Sequence, residues 1–251
     1  MQPIPILNIS IDPYRRQALL GELKEGVVFT PNVDHLIKLQ NDLAFYEAYQ
    51  QAAYRLCDSR IILQLSRLTT HPIPEQLAGS DIFPAFCQHH ASNPGIRIFL
   101  LGGTETGVDL ATQKLNQQAS YTQVVGRYSP PFGFESDVEE TQAILSRIRQ
   151  SGANVLAVGV GAPKQEIWIA THRAALEAVG VKLFFAIGKT IDFIAGETQR
   201  APRWIQQLNL EWLYRFFQEP RRLFRRYFIE GPPFFLLFIR QMRGTYQNPW
   251  S

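Results

Sequence analysis

The feature that most limits the fold is an alternation. Short apolar runs recur along the chain, separated by stretches with helical spacing. Residues 26–30 (GVVFT), 96–101 (IRIFLL), 154–160 (NVLAVGV) and 182–187 (KLFFAI) read as buried strands. Residues 123–125 read as another short strand, and Arg55-Leu56 leads into Cys57-Asp58-Ser59. Between them, residues 34–53 place Leu36, Ile37, Leu39, Leu43, Ala44 and Tyr46 at helical intervals. Helices are also expected from Thr104 to about Gln118, over 136–151, and from Pro163 to about Val179.

Strands separated by helices pair in parallel through right-handed crossovers. The expected fold is therefore α/β: an open, Rossmann-like, mostly parallel sheet with helices on both faces. Ligands of such sheets sit outside the C-terminal strand ends. That directs attention to the loops 30–34, 57–59, 102–106, 161–166 and 188–192.

Charge divides the chain. The formal net charge of +3 is an average. Residues 200–251 hold nine Arg, no Lys and three acids, a net of +6, and 13 of the 30 aromatic residues. Residues 1–199 carry a net of −3. The expected organisation is a Rossmann-like catalytic domain over 1–199 and an Arg- and aromatic-rich, helical, membrane-associating appendage over 200–251. At helical steps from Arg221, the side chains of Arg221, Arg222, Arg225 and Arg226 share a face within roughly 140°. Leu223, Phe224, Tyr227 and Phe228 take the other face. Such a pattern suits anionic lipid, and Arg grips phosphate through paired donors. A helix packed on the body and single-stranded nucleic acid are the competing readings at this point.

Composition removes other classes. Two cysteines, Cys57 and Cys87, cannot build a disulfide framework. The N-terminus MQPIPILNIS lacks the basic and apolar regions of a secretory signal. The most apolar tail stretch, residues 232–239, is far shorter than the roughly 20 residues of a spanning helix. The five histidines lack metal-ligand spacing and read as ordinary surface or half-buried residues. The expected location is cytoplasmic, with no metal.

Four motifs carry candidate chemistry. In Thr30-Pro31-Asn32-Val33-Asp34 the proline stops a strand, and Thr30 and Asn32 offer hydrogen-bonding groups; Asn32 or Asp34 can equally cap a helix. Asp58 is either a general base for a sugar hydroxyl or an N-cap. Gly102 and Gly103 open a glycine loop that lets amides approach a phosphate. Its spacing is not the dinucleotide fingerprint, which argues against an NAD enzyme. In Gly159-Val160-Gly161-Ala162-Pro163-Lys164-Gln165-Glu166, Lys164 can neutralise phosphate and Gln165 can bind a base or sugar; the motif is not a Walker A loop. Asp192 lies in the last of the strand-end loops and joins the donor-binding candidates.

Six collinear segments together resemble the bacterial WecG/TagA/CpsF glycosyltransferase family. They are TPNVDHLIKLQND (30–42), AGSD (78–81), FLLGGT (99–104), VGVGAPKQEIWI (158–169), TIDFIAGETQRAP (190–202) and LEWLYRFFQEPRRLFRRY (210–227). The resemblance implies an inverting, metal-independent transferase without a cofactor. It would move an N-acetylmannosamine-type or related sugar from a UDP-sugar donor to a polyprenyl-diphosphate-linked sugar at the inner membrane surface. Asp58 matches the family's base, Thr30 and Asn32 its Thr-x-Asn element, and Gln165 its glutamine. Arg215, Arg221, Arg222 and Arg225 match the arginines that hold the lipid diphosphate and the membrane. With this resemblance nucleic acid recedes as a partner. Apolar tail residues can also make subunit contacts. A non-catalytic UDP-sugar or lipid-binding partner in polysaccharide assembly is the alternative. The sequence departs from the family pattern at Ser59, Gln76 and Lys189.

Overall fold

The computed structural model describes residues 2–198, 202, 205, 211–218, 220 and 224–251. The chain opens with an antiparallel hairpin, β1 (Ile4–Ile6) and β2 (Ile9–Ile11), in which Ile4 faces Ile11. After α1 (Arg16–Glu22) come β3 (Gly26–Phe29), α2 (Val33–Lys38), α3 (Leu43–Gln50) and β4 (Tyr54–Arg55). Then follow α4 (Arg60–Leu65), α5 (Gly79–His89), β5 (Ile98–Gly102), α6 (Glu105–Gln118) and β6 (Val124–Tyr128). The body continues with α7 (Val138–Ser151), β7 (Val155–Gly159), α8 (Lys164–Ala178), β8 (Leu183–Ala186) and α9 (Thr190–Ala195).

Strands β3 to β8 form one parallel sheet in the order β4-β3-β8-β7-β5-β6. Both faces are covered, and the pleat divides the core accordingly. Phe29, Phe99, Leu101, Leu156, Val158 and Phe184 pack with α2, α3, α7 and α8. Their neighbours Val28, Ile98, Leu100, Val155, Ala157 and Phe185 pack with α1, α5, α6 and α9. This is the Rossmann-like core expected from the alternation.

One expected helix is two. The stretch 34–53 breaks after Lys38, and α3 starts at Leu43. Asp42 is the cause: its side chain accepts from Phe45 N at 3.0 Å and restarts the helix. The expected strands also begin or end one to three residues differently, as element ends commonly do.

The end of the chain returns to the body. Helix Pro233–Met242 buries Phe234 and Phe238 in the same core as β3 and α2. Gln241 clamps the hairpin turn, accepting from Leu7 N and donating to Pro5 O, each at 2.8 Å. Trp250 Nε1 donates to Leu39 O at 2.7 Å. Among the described residues no helix is long and apolar enough to cross a membrane.

Candidate active site

Three loops meet at Asp58. Its amide donates to Pro31 O at 3.0 Å, which joins the ends of β3 and β4. Gln76 Nε2 donates to Asp58 O at 3.1 Å from the segment before α5. Thr30 and Asn32 flank Pro31 and are half-buried. A Cβ on Gly79 would lie 3.2 Å from Thr30 Oγ1, so the AGSD element packs directly on this loop.

The capping questions are resolved by hydrogen bonds. Asn32 Oδ1 accepts from His35 N at 3.1 Å and caps α2. At α4 the cap is Ser59, whose Oγ accepts from Ile62 N at 3.4 Å. The departure at Ser59 thus has a local function: it caps the helix beside the half-buried Asp58. Gln76, another departure, supports the Asp58 backbone.

A second cluster lies at the ends of β5, β7 and β8. Gly102 has φ +121°, and a Cβ there would meet Gly159 O at 2.5 Å. A Cβ on Gly159 would meet Gly188 O at 2.7 Å. Glycine is required because backbone lies against backbone. Gln165 ties two of these loops together: Oε1 accepts from Gly161 N at 3.2 Å and Gly188 N at 3.0 Å. Asp192 is near, since a Cβ on Gly103 would sit 3.6 Å from its Oδ1. Burial raises the Asp192 carboxyl above its usual range; Lys189 draws it down and Glu197 pushes it up.

Gly102, Gly103, Phe132, Glu135, Val160 and Lys164 help line a cleft of about 280 Å³. Lys164 is ion-paired with Glu135, whose carboxyl it lowers chiefly by hydrogen bonding. The Lys164 ammonium also lies 4.4 Å from the ring centroid of Phe132. Phe132 is 99% exposed, so this ring stands as an open face at the cleft. Lys164 can therefore receive an anion only by exchanging or sharing its Glu135 contact.

The N-terminus of α6 is arranged differently from the expectation for the glycine loop. Thr104 Oγ1 accepts from Gly107 N at 2.9 Å and donates to the Glu197 carboxylate at 3.1 Å. The anion at this helix end is the chain's own. Gly102 and Gly103 instead border the cleft.

Several residues were not singled out in the sequence: Phe132, Glu135, Glu166, Glu197 and the pair His35–Tyr49. The two prolines and glycine around Phe132 were the only local signal there. His35 is buried rather than superficial, with Nδ1 2.6 Å from the Tyr49 hydroxyl. Burial holds the Tyr49 hydroxyl well above its usual pKa, and the charges of Glu166 and Asp58 add to the effect.

Glu166 is 1% exposed, and burial pushes its carboxyl from 4.5 up to about 7. A hydrogen bond from Gln165 and the charge of Lys38 oppose the shift, while Asp34 assists it. Between pH 4.5 and about 7 the native state keeps a proton that the unfolded chain has released. The stabilisation is complete below 4.5 and is lost as pH rises through about 7. The loss is about 3 kcal/mol by linkage. Denaturant titrations should show this slope in the wild type and its absence in Glu166→Gln. An equal slope in both would contradict the assignment.

In the tail, Arg225 lies in the π-helix Arg225–Glu230 and pairs with Glu230 at 2.8 Å. A π-turn is wider than an α-turn, so the α-helical phasing expected from Arg221 does not run through 225–230. Phe224 and Phe228 are exposed, with ring centroids 5.2 Å apart. Arg221, Arg222 and the side chain of Arg215 lie outside the described residues.

A doubly wound parallel sheet with a cleft at the C-terminal ends of its strands defines a Rossmann-like ligand-binding α/β protein. Residues 4–248 match the Glycosyl transferase WecG/TagA/CpsF family, and the chain belongs to that family. Membership makes it a glycosyltransferase in general terms, of a family acting on UDP-sugars in cell-surface polysaccharide pathways. It implies a UDP-sugar donor and an acceptor of the lipid-linked class.

Proposed function

We propose that the protein is an inverting hexosyltransferase. It transfers an N-acetylmannosamine-type or related sugar from UDP to a polyprenyl-diphosphate-linked sugar. The observation that carries this reading is the meeting of the Thr30–Asn32 loop and Asp58 at the sheet edge, with Ser59 serving as the helix cap. In the proposed step Asp58 takes the proton of the acceptor hydroxyl. The hydroxyl oxygen bonds to the anomeric carbon from one face, and the carbon–oxygen bond to UDP breaks on the other. UDP leaves with the bonding electrons.

The departing diphosphate needs positive charge or oriented amides. The loops at Gly102, Gly103 and Gly161 are proposed to hold the diphosphate, assisted by Lys164 and by tail arginines, with Gln165 and Asp192 also at the donor site. Arg215, Arg221, Arg222 and Arg225 are proposed to face the acceptor diphosphate. The reaction's stereochemistry tests the reading. The NMR spectrum of the product should show the anomeric configuration opposite to that of the donor; retention would contradict it.

The proposed place of work is the inner face of the cytoplasmic membrane. Support comes from the net +6 of residues 200–251 and from the exposed rings of Phe224 and Phe228. Replacing both phenylalanines by serine should weaken binding to anionic liposomes by about tenfold or more. Undiminished sedimentation with the vesicles would contradict membrane docking through these rings.

A further inference from the structure

Gln165 and Glu166 lie in the first turn of α8 and are both buried, at 4% and 1% exposure. The Gln165 amide faces two ways. Its oxygen accepts from Gly161 N and Gly188 N, at 3.2 and 3.0 Å. Its nitrogen donates to Glu166 Oε1 at 2.8 Å. A primary amide can present either end to a given side, and only one orientation serves two N–H donors. Glu166 Oε1, an acceptor, selects that orientation by taking the nitrogen. Gly161 and Gly188 belong to the loops after β7 and β8, so the contact joins two loops of the site.

Packing alone is a poor reason for a carboxyl here. Glu166 Oε2 is buried without a hydrogen-bond partner. A buried carboxyl satisfied at one oxygen is destabilising compared with an apolar side chain of similar volume. Its side-chain hydrogen bond is the one that orients Gln165.

We propose that Glu166 is a positioning residue for the donor: it fixes the Gln165 amide so that the Gly161 and Gly188 loops are held together where the UDP-sugar binds. This rests on the donor site proposed above. Glu166 touches no reacting atom and acts through Gln165. Glu166→Gln retains an acceptor oxygen for Gln165, whereas Glu166→Leu removes it at similar volume.

The test uses the full chain and two readouts. The first, independent of substrate, is amide hydrogen exchange at Gly161 and Gly188. In Glu166→Leu both amides should exchange about tenfold faster or more, and in Glu166→Gln within about threefold of wild type. The second is steady-state kinetics. Glu166→Leu should raise the donor KM about tenfold with kcat and acceptor KM changed less than about threefold, and Glu166→Gln should restore it. Unchanged exchange in a folded Glu166→Leu overturns the proposal, as does a kcat loss without a donor KM change. If Glu166→Leu does not fold, Gln165→Leu takes its place and must accelerate both amides; unchanged exchange there also overturns it. Loss of the donor reading would look different: altered exchange in the variant beside a wild type that binds no UDP-sugar.

Discussion

Asp58→Asn should lower kcat about 10²- to 10⁴-fold while leaving UDP affinity within about twofold. The drop corresponds to about 3–5 kcal/mol of barrier. Two contacts at position 58 use its backbone: its amide to Pro31 O, and its carbonyl from Gln76. Neither depends on the carboxyl. The following helix is capped by Ser59, so its start does not depend on the carboxyl either. The variant loses the ability to accept a proton from the attacking hydroxyl. UDP release coupled to a lipid acceptor, with UDP binding by calorimetry, measures both halves. Near-normal turnover would contradict the assignment of Asp58 as base.

Ending the chain at residue 199 should unfold it rather than yield a soluble catalytic core. The deletion removes Phe234 and Phe238, which are 0% and 3% exposed in the main core. Losing a buried phenylalanine costs about 3–5 kcal/mol. Two such losses rival the whole stability of a domain, about 5–15 kcal/mol. The Gln241 clamp on the hairpin and the Trp250 bond to Leu39 O go with them. Thermal melting followed by circular dichroism checks this. A cooperative melt within a few degrees of the full chain would contradict it. For the same reason membrane binding is best tested by point substitutions at Phe224 and Phe228, which are exposed and leave the core intact.

The sheet was legible because it is buried on both faces. Central parallel strands must be apolar on alternate sides toward two helical layers, which leaves continuous runs such as residues 98–101. The hairpin leaves a weak signal in the sequence because its strands are three residues each and prolines punctuate the region. Helix α5 was hidden by Pro84 inside it and Gly79 at its start. The last helix was readable as apolar but not as packed. Phe234, Phe235, Leu236 and Phe238 are all hydrophobic, and only the three-dimensional fold assigns Phe234 and Phe238 to the core.

The site was legible where glycine and capping chemistry mark it. Gly102, Gly103 and Gly161 were identified at strand ends, and the GAPKQE segment drew attention to Gln165. What spacing could not express is who occupies whom. Lys164 reads as a free cation along the chain, yet Glu135, 29 residues earlier, neutralises it in space. The N-terminus of α6 reads as an anion site, and Glu197 from beyond α9 supplies the anion. Ser59 reads as a departure from the family pattern and proves to be the cap. Each of these depends on a partner distant in sequence or on a choice between adjacent residues, which periodicity does not record.

The most direct test of the central claim is UDP release, with a panel of UDP-sugars, with and without a short-chain polyprenyl-diphosphate sugar. The account predicts that one donor gives rapid UDP release only when the lipid acceptor is present, and that the Asp58→Asn variant does not. Binding of a UDP-sugar with no acceptor-dependent release from any donor would contradict it, and would favour a non-catalytic partner in polysaccharide assembly.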